Sequence, residues 1–231
     1  MSQPNASAPS PAPAAALWDF DGTLADTEPL WIAAEYELVS SLGGTWSDEH
    51  AQQVVGNALI DTGSYLLDVI GRHDLTAAWV VDQLVDRVAV ALRSGEIPWR
   101  PGALQLLGSF GDAGVPCALV SASYRVLLDA ALAQLPAGAF RASVAGDEVS
   151  RGKPHPEPYL AACRQLGVDP LDCVVIEDSP TGAASGNAAG AFVLAVPHIV
   201  EVPQAPRRHR IDTLANLDAA AVARLLSLAD A

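Results

Sequence analysis

The sequence holds a single lysine, Lys153. Twelve arginines make up the rest of its thirteen basic residues, set against 27 acidic ones for a formal net charge of −14. So negative a chain lacks the electrostatic footprint for nucleic acid or anionic lipid, although a local positive site still suits an anionic small molecule. Cysteine is scarce too. Cys117, Cys163 and Cys173 are an odd number without CxxC spacing, which argues against a disulfide framework or a zinc knuckle and leaves three small apolar residues. No apolar run reaches membrane-spanning length, since "AWVVDQLVDRVAVAL" carries charges along it. The opening "MSQPNASAPSPAPAAA" has no basic residue and no continuous apolar segment, so it reads as a disordered Pro/Ala tail and not as a signal peptide. Internal repeats are absent. The expectation is a cytoplasmic protein that meets small molecules, with no nucleic acid, membrane or obligate protein partner.

What the chain has in quantity is apolar residues, half of the total, ample for one large domain or a core domain with a smaller companion. Short apolar runs ending in polar clusters recur: "AAALWDFD", "VPCALVSAS", "AFRASVAGDE", "CVVIEDS" and "AFVLAVP". Their length, near-continuous apolarity and β-branched content predict buried parallel strands. Between them lie "ALQLLGSFGDAG", "RVLLDAALAQL" and "HPEPYLAACRQLG", helix-like and in several cases stopped by glycine. The alternation predicts an α/β fold, a doubly wound parallel sheet of Rossmann-like form. Residues 29–98 break it: they hold no convincing strand, and Val81, Leu84, Val85, Val88 and Leu92 fall at helical spacing. The expected organisation is a tail over 1–14, a core domain over 15–28 and 99–231, and a helical domain inserted over 29–98, with "EIPWRPGA" as the return linker.

One segment, "LWDFDGTLADTEPLW", poses a problem. Asp19 and Asp21 lie two positions apart after an apolar run, where mid-strand carboxylates would share a side and repel. Something must offset them. Ligands in open α/β sheets bind beyond the carboxyl ends of the strands, and the other runs deliver Ser121, Lys153 and the pair Glu177 and Asp178 to that place. Converging carboxylates suit Mg2+, a hard cation that takes oxygen ligands and keeps waters and a substrate phosphate in its shell. A lysine, a serine hydroxyl and backbone N–H groups of the "DGT" turn and of the segment after Ser121, beginning at Ala122, suit phosphate oxygens. A carboxylate is also a nucleophile toward phosphorus. Taken singly, these residues fit blander roles: Ser121 a turn or cap, Lys153 a surface lysine, Glu177 and Asp178 an acidic pair before a helix opened by Ser179 and Pro180. Their convergence favours a site. "PRRHR" near residue 206 reads as a solvated loop, and Trp31, Trp46, Trp79 and Trp99 as packing residues.

"DFDGTLADTE", the serine of "LVSAS", the lysine of "GKPHPEPYL" and the acidic pair of "VIEDSPTGAASGNAAG" resemble, in order and context, the four motifs of the haloacid dehalogenase superfamily, over residues 15–200. The resemblance is greatest to its phosphatase and β-phosphoglucomutase-like branch, with a helical cap inserted after the first motif. It implies Asp19 as nucleophile, Asp21 as general acid and base, and Ser121, Ala122 and Lys153 as holders of the transferring phosphoryl group. It also implies Mg2+ held by Asp19, the backbone carbonyl of Asp21, Asp178 and Glu177. The implied activity is hydrolysis of a small phosphorylated metabolite, a sugar phosphate or similar, through an aspartyl-phosphate. Lys153 is expected to lower the pKa of Asp19 and keep it ionised.

A cap at this place implies substrate contacts from Glu28, Gly56, Asn57, Tyr124 and Arg125. Sugar phosphomutases of the branch usually carry an arginine in the loop that here runs from Val54 to Leu67, and often a histidine just after the first motif. This chain has no arginine in that loop and Trp31 in place of the histidine, which favours hydrolysis. Arg125 keeps a mutase as the second reading. A non-catalytic phosphometabolite-binding protein is the third, and the presence of Asp19, Asp21 and Lys153 weighs against it.

Overall fold

The structure, a computed structural model, describes residues 12–54, 59–95 and 97–229. Among them, six strands form one parallel sheet: β1 (Ala15–Trp18), β2 (Cys117–Val120), β3 (Ala142–Val144), β4 (Cys173–Glu177), β5 (Phe192–Ala195) and β6 (Arg208–Arg210). Their spatial order is β3-β2-β1-β4-β5-β6, so the direction of winding reverses between β1 and β4 and opens a crevice beyond their carboxyl ends. The first five strands are the five apolar runs. β6 corrects the reading of "PRRHR" as a loop. Its three polar residues give no apolar signal, but their backbone continues the ladder on β5, with His209 opposite Leu194, and Arg208 Nε donates to Asn187 Oδ1 at 2.9 Å.

The helices are α1 (Glu28–Ser41), α2 (Asp48–Val54), α3 (Leu59–Ile70), α4 (Ala77–Ser94), α5 (Ala103–Asp112), α6 (Arg125–Leu132), α7 (Glu157–Leu166), α8 (Pro180–Ala188) and α9 (Ala219–Ala229). Both faces of the sheet are covered, which is why its central strands β1, β2, β4 and β5 are buried along their whole length. On one face Leu17, Val120, Val175 and Val193 form a core with Tyr159, Ala162 and Cys163 of α7 and Ala183 of α8. On the other, Trp18 meets Phe110 of α5 edge-on, with ring centroids 6.3 Å apart. All three cysteines are buried and unbridged.

The chain divides into two compact units: an α/β unit within 1–25, 99–122 and 136–231, and a helical unit of 26–98 with 123–135. α6, expected with the α/β domain, packs on α4 and so belongs to the helical unit. In that unit α4 buries Val81, Leu84, Val85, Val88 and Leu92 along one stripe, and Thr76 caps its start by accepting from the N–H of Trp79 at 3.2 Å. No helix among the described residues is long and apolar enough to cross a membrane.

Among the described residues, one carboxylic acid of this helical unit is buried. Glu35 of α1 is buried and accepts from the indole N–H of buried Trp46 at 3.2 Å, while Trp46 packs edge-on against Tyr65. Burial pushes the Glu35 carboxyl up to about 7, Trp46 pulls it down, and the charge of Glu28 pushes it up again. The folded chain therefore holds a proton that the unfolded chain releases near its ordinary value of 4.5, and the stability this gives is lost as pH rises toward 7. Glu35→Gln keeps the acceptor and removes the charge. By chemical denaturation the variant is expected to be more stable than the parent at pH 8 by about 1–2 kcal/mol, with the gap closing by pH 4.

Candidate active site

β1 ends at Trp18, and the N–H of Asp19 donates to Ile176 O at 3.0 Å, which fixes Asp19 beside the end of β4. The chain then turns. Phe20 O accepts from the N–H groups of Leu24 at 3.0 Å and Ala25 at 3.1 Å, and Gly22 takes a φ of +84°. A Cβ on Gly22 would lie 2.2 Å from Asp178 Oδ2, so glycine supplies both the left-handed conformation and the room for this turn to close on Asp178. The turn also separates the two carboxylates that the sequence sets side by side. Asp19 is buried, whereas Asp21 is half-buried and accepts from Ser121 Oγ at 2.9 Å. Of the influences on Asp19, the charge of Asp21 is the weakest of those resolved.

Lys153 binds the strand ends together. Its Nζ donates to Asp19 Oδ1 at 2.7 Å, to Glu177 Oε1 at 2.7 Å and to Val120 O at 2.9 Å, which uses all three ammonium hydrogens. Glu177 is held on every side. Its Oε1 also accepts from Tyr159 OH at 3.0 Å, and its Oε2 accepts from Ser179 N–H at 3.2 Å and from Ser179 Oγ at 2.9 Å. Ser179 caps α8 as the sequence predicts, accepting from Gly182 N–H at 3.0 Å. Asp178 accepts from Thr23 Oγ1 at 3.2 Å.

Carboxylate oxygens of Asp19, Glu177 and Asp178 lie within 4.8 Å of one another, with one ammonium among them. Three charges of one sign against one of the other have a cost in a buried place. Burial, then the charge of Glu177, raise Asp19 well above the usual carboxylate range. Lys153 pulls it down, as expected, without reversing the shift, so the lysine alone does not keep Asp19 ionised as the sequence reading expects. Asp178 is pushed up to about 7, again by burial and then by Glu177. Burial would lower Lys153, but Asp19 and Glu177 more than reverse that and hold it charged. A divalent cation among these carboxylates would remove the excess, so the donor set fits Mg2+ in both charge and ligand type.

The structure thus brings together Asp19, Asp21, Ser121, Lys153, Glu177 and Asp178 in the α/β unit, with Ala122 exposed at its boundary. Glu28, Tyr124 and Arg125 belong to the helical unit. Glu28 opens α1, Tyr124 precedes α6, and Arg125 opens α6 and pairs with Asp129 at 3.3 Å. Gly56 and Asn57 lie outside the described residues. Sequence reasoning passed over Tyr159, Gly182 and the bonds of Thr23 and Ser179. The one available signal for Tyr159 was its place six residues after Lys153, in the first turn of α7.

Known proteins resemble this chain in sequence and in fold. Hexitol phosphatase B of Escherichia coli (strain K12) is 34% identical over 194 residues, covering 79% of this chain and 83% of that protein. A bifunctional riboflavin kinase/FMN phosphatase of Arabidopsis thaliana is 31% identical over 187 residues, 79% of this chain but 48% of that protein, so the chain spans about half of that relative's length. Among solved structures, a mutant of CbbY from Rhodobacter sphaeroides in complex with xylulose-(1,5)-bisphosphate matches with a TM-score of 0.75 at 27% identity, over 89% of this chain and 96% of that one. The chain is an enzyme, a hydrolase acting on phosphoric monoesters. It belongs to the haloacid dehalogenase-like hydrolases, whose family model matches residues 13–190.

Gly182 offers a test of the geometry that does not depend on activity. A Cβ there would meet Glu177 Oε1 at 1.6 Å, whereas one on Gly108 of α5 would meet nothing within 4 Å. Gly182→Ala is expected to destabilise the fold by about 1–3 kcal/mol. Gly108→Ala is expected to stabilise it by about 0.5–1 kcal/mol, both read from denaturation midpoints.

Proposed function

We propose that this chain hydrolyses a small phosphorylated metabolite, a sugar or polyol phosphate or a compound of similar size, with Mg2+ and through an aspartyl-phosphate on Asp19. The observation that carries the reading is the Asp19–Lys153–Glu177 cluster, with Asp178 and Asp21 beside it, at the crevice where the sheet reverses. The names of the relatives support the substrate class: a hexitol phosphatase, an FMN phosphatase, and CbbY with a bound sugar bisphosphate.

In this reading a carboxylate oxygen of Asp19 attacks phosphorus in line with the leaving alcohol oxygen. The P–O bond to that alcohol breaks, and the oxygen takes a proton from Asp21. Asp21 then accepts a proton from the water that attacks the aspartyl-phosphate, and inorganic phosphate leaves. Ser121, bonded to Asp21, keeps that carboxyl oriented and lies beside the transferring group. Lys153 carries positive charge toward the equatorial oxygens. Asp19 and Asp178 each accept one side-chain hydrogen bond, at Oδ1, and would hold the ion together with the carbonyl of Asp21. Once bound, the ion supplies charge neutralisation for the phosphoryl oxygens and returns Asp19 and Asp178 toward their ionised forms. Glu177, occupied by four protein donors, serves mainly to hold Lys153.

Phosphate release is measured from a panel of phosphorylated metabolites, including a sugar 1-phosphate that is also assayed for isomerisation. Release is expected with Mg2+ and is expected to vanish on chelation. Asp19→Asn is expected to reduce it by about a thousandfold or more. Asp21→Asn is expected to cost about 10²–10⁴-fold. Isomerisation in excess of release would replace the reading with a mutase. Silence on the whole panel would leave a binding protein.

A further inference from the structure

We propose that Tyr159 is a positioning residue of the active site, which holds the Lys153 ammonium on Asp19 through its hydroxyl on Glu177 and through its ring face. The inference rests on the reading of the site as a phosphoryl-transfer centre.

Tyr159 is fully buried, in the first turn of α7, with its ring packed in the apolar core beneath the sheet. Its polar atom reaches out of that core to one place, Glu177 Oε1 at 3.0 Å, the same oxygen that accepts from Lys153 Nζ at 2.7 Å. Lys153 Nζ in turn lies 4.9 Å from the centroid of the Tyr159 ring. One side chain therefore touches both members of the ion pair, by two different forces.

These forces act in one direction. The three ammonium hydrogens are spent on Asp19, Glu177 and Val120, so the ring can attract the ammonium without taking a hydrogen. The hydroxyl and Lys153 share Glu177 Oε1, while Ser179 occupies Oε2, and the carboxylate has no free rotation left. A lysine stem has four rotatable bonds, and of the three acceptors only Val120 O is fixed by the backbone, so an ammonium between two unfixed carboxylates could follow either of them. With Glu177 fixed and the ring behind it, Lys153 keeps a constant distance to Asp19 as charge moves onto the phosphoryl group. This preorganisation matters in the transition state more than in the bound substrate, so its loss appears in kcat.

Two substitutions separate the forces. Tyr159→Phe keeps the ring and removes the hydroxyl. Tyr159→Leu removes both. With Mg2+ and the best substrate of the panel, kcat is expected to fall about tenfold in the Phe variant and about a hundredfold in the Leu variant, with KM changing less than about twofold. A Phe variant with the kcat of the parent overturns the proposal, as does a loss carried by KM. Because a buried tyrosine also supports the fold, a second measurement runs without substrate. The unfolding midpoints of Tyr159→Phe, Lys153→Met and the double variant form a cycle. Non-additive shifts are expected, and additive shifts overturn the coupling between the two residues. A parent enzyme that releases no phosphate would refute the functional reading alone, and the cycle would still decide this one.

Discussion

The ammonium of Lys153, enclosed between Asp19 and Glu177, is the contact on which the arrangement of the α/β unit turns. It joins the carboxyl ends of three strands, through Asp19 after β1, Val120 O at the end of β2 and Glu177 at the end of β4. Side-chain exposure is 6% for the lysine, 9% for Asp19 and 1% for Glu177, so none of the three charges has water to fall back on. Buried ion pairs of this kind recover their desolvation cost only when every remaining lone pair and hydrogen is also used. That condition explains the surrounding detail: Ser179 giving two hydrogens to Glu177, Tyr159 a third, Thr23 bound to Asp178, and Ser121 bound to Asp21.

Closeness of backbone is the second constraint, and it follows from the first. Carboxylates can converge only if the chains that carry them approach without intervening side chains. Gly22 lets the turn after β1 meet Asp178, and Gly182 lets the first turn of α8 lie against Glu177. The same glycine places an N–H on the Ser179 hydroxyl, so one small residue serves the helix cap and the acidic pair at once. The remaining negative charge marks where a divalent cation would be held, and it adds to burial, the larger cause, in the upward shifts of Asp19 and Asp178.

The two units differ in how charge is buried. In the α/β unit the charged groups meet one another across strand ends and are answered by donors. In the helical unit a lone carboxyl, Glu35, has one indole donor and is pushed toward its neutral form. Burial pushes Asp19 and Asp178 toward their neutral forms as it does Glu35, but only the first arrangement holds a charged ammonium among its carboxyl groups.

The five apolar strands, the helical insertion and the residues Asp19, Asp21, Ser121, Lys153, Glu177 and Asp178 were legible in the sequence, because each rests on local pattern: apolar runs of strand length, and polar residues at their ends. Ser179 as a helix cap was legible for the same reason. Tertiary structure alone decided what local pattern does not encode. β6 is a strand because β5 lies beside it, although its own residues are arginine and histidine. α6 joins the helical unit because it packs on α4, some forty residues away in sequence. Tyr159 reads as one more aromatic on an apolar helix face, and only the register that sets α7 against the end of β4 brings its hydroxyl to Glu177 and its ring to Lys153. Periodicity determines which residues face inward, but which of them touch a charge depends on distances that are fixed only when the chain closes on itself.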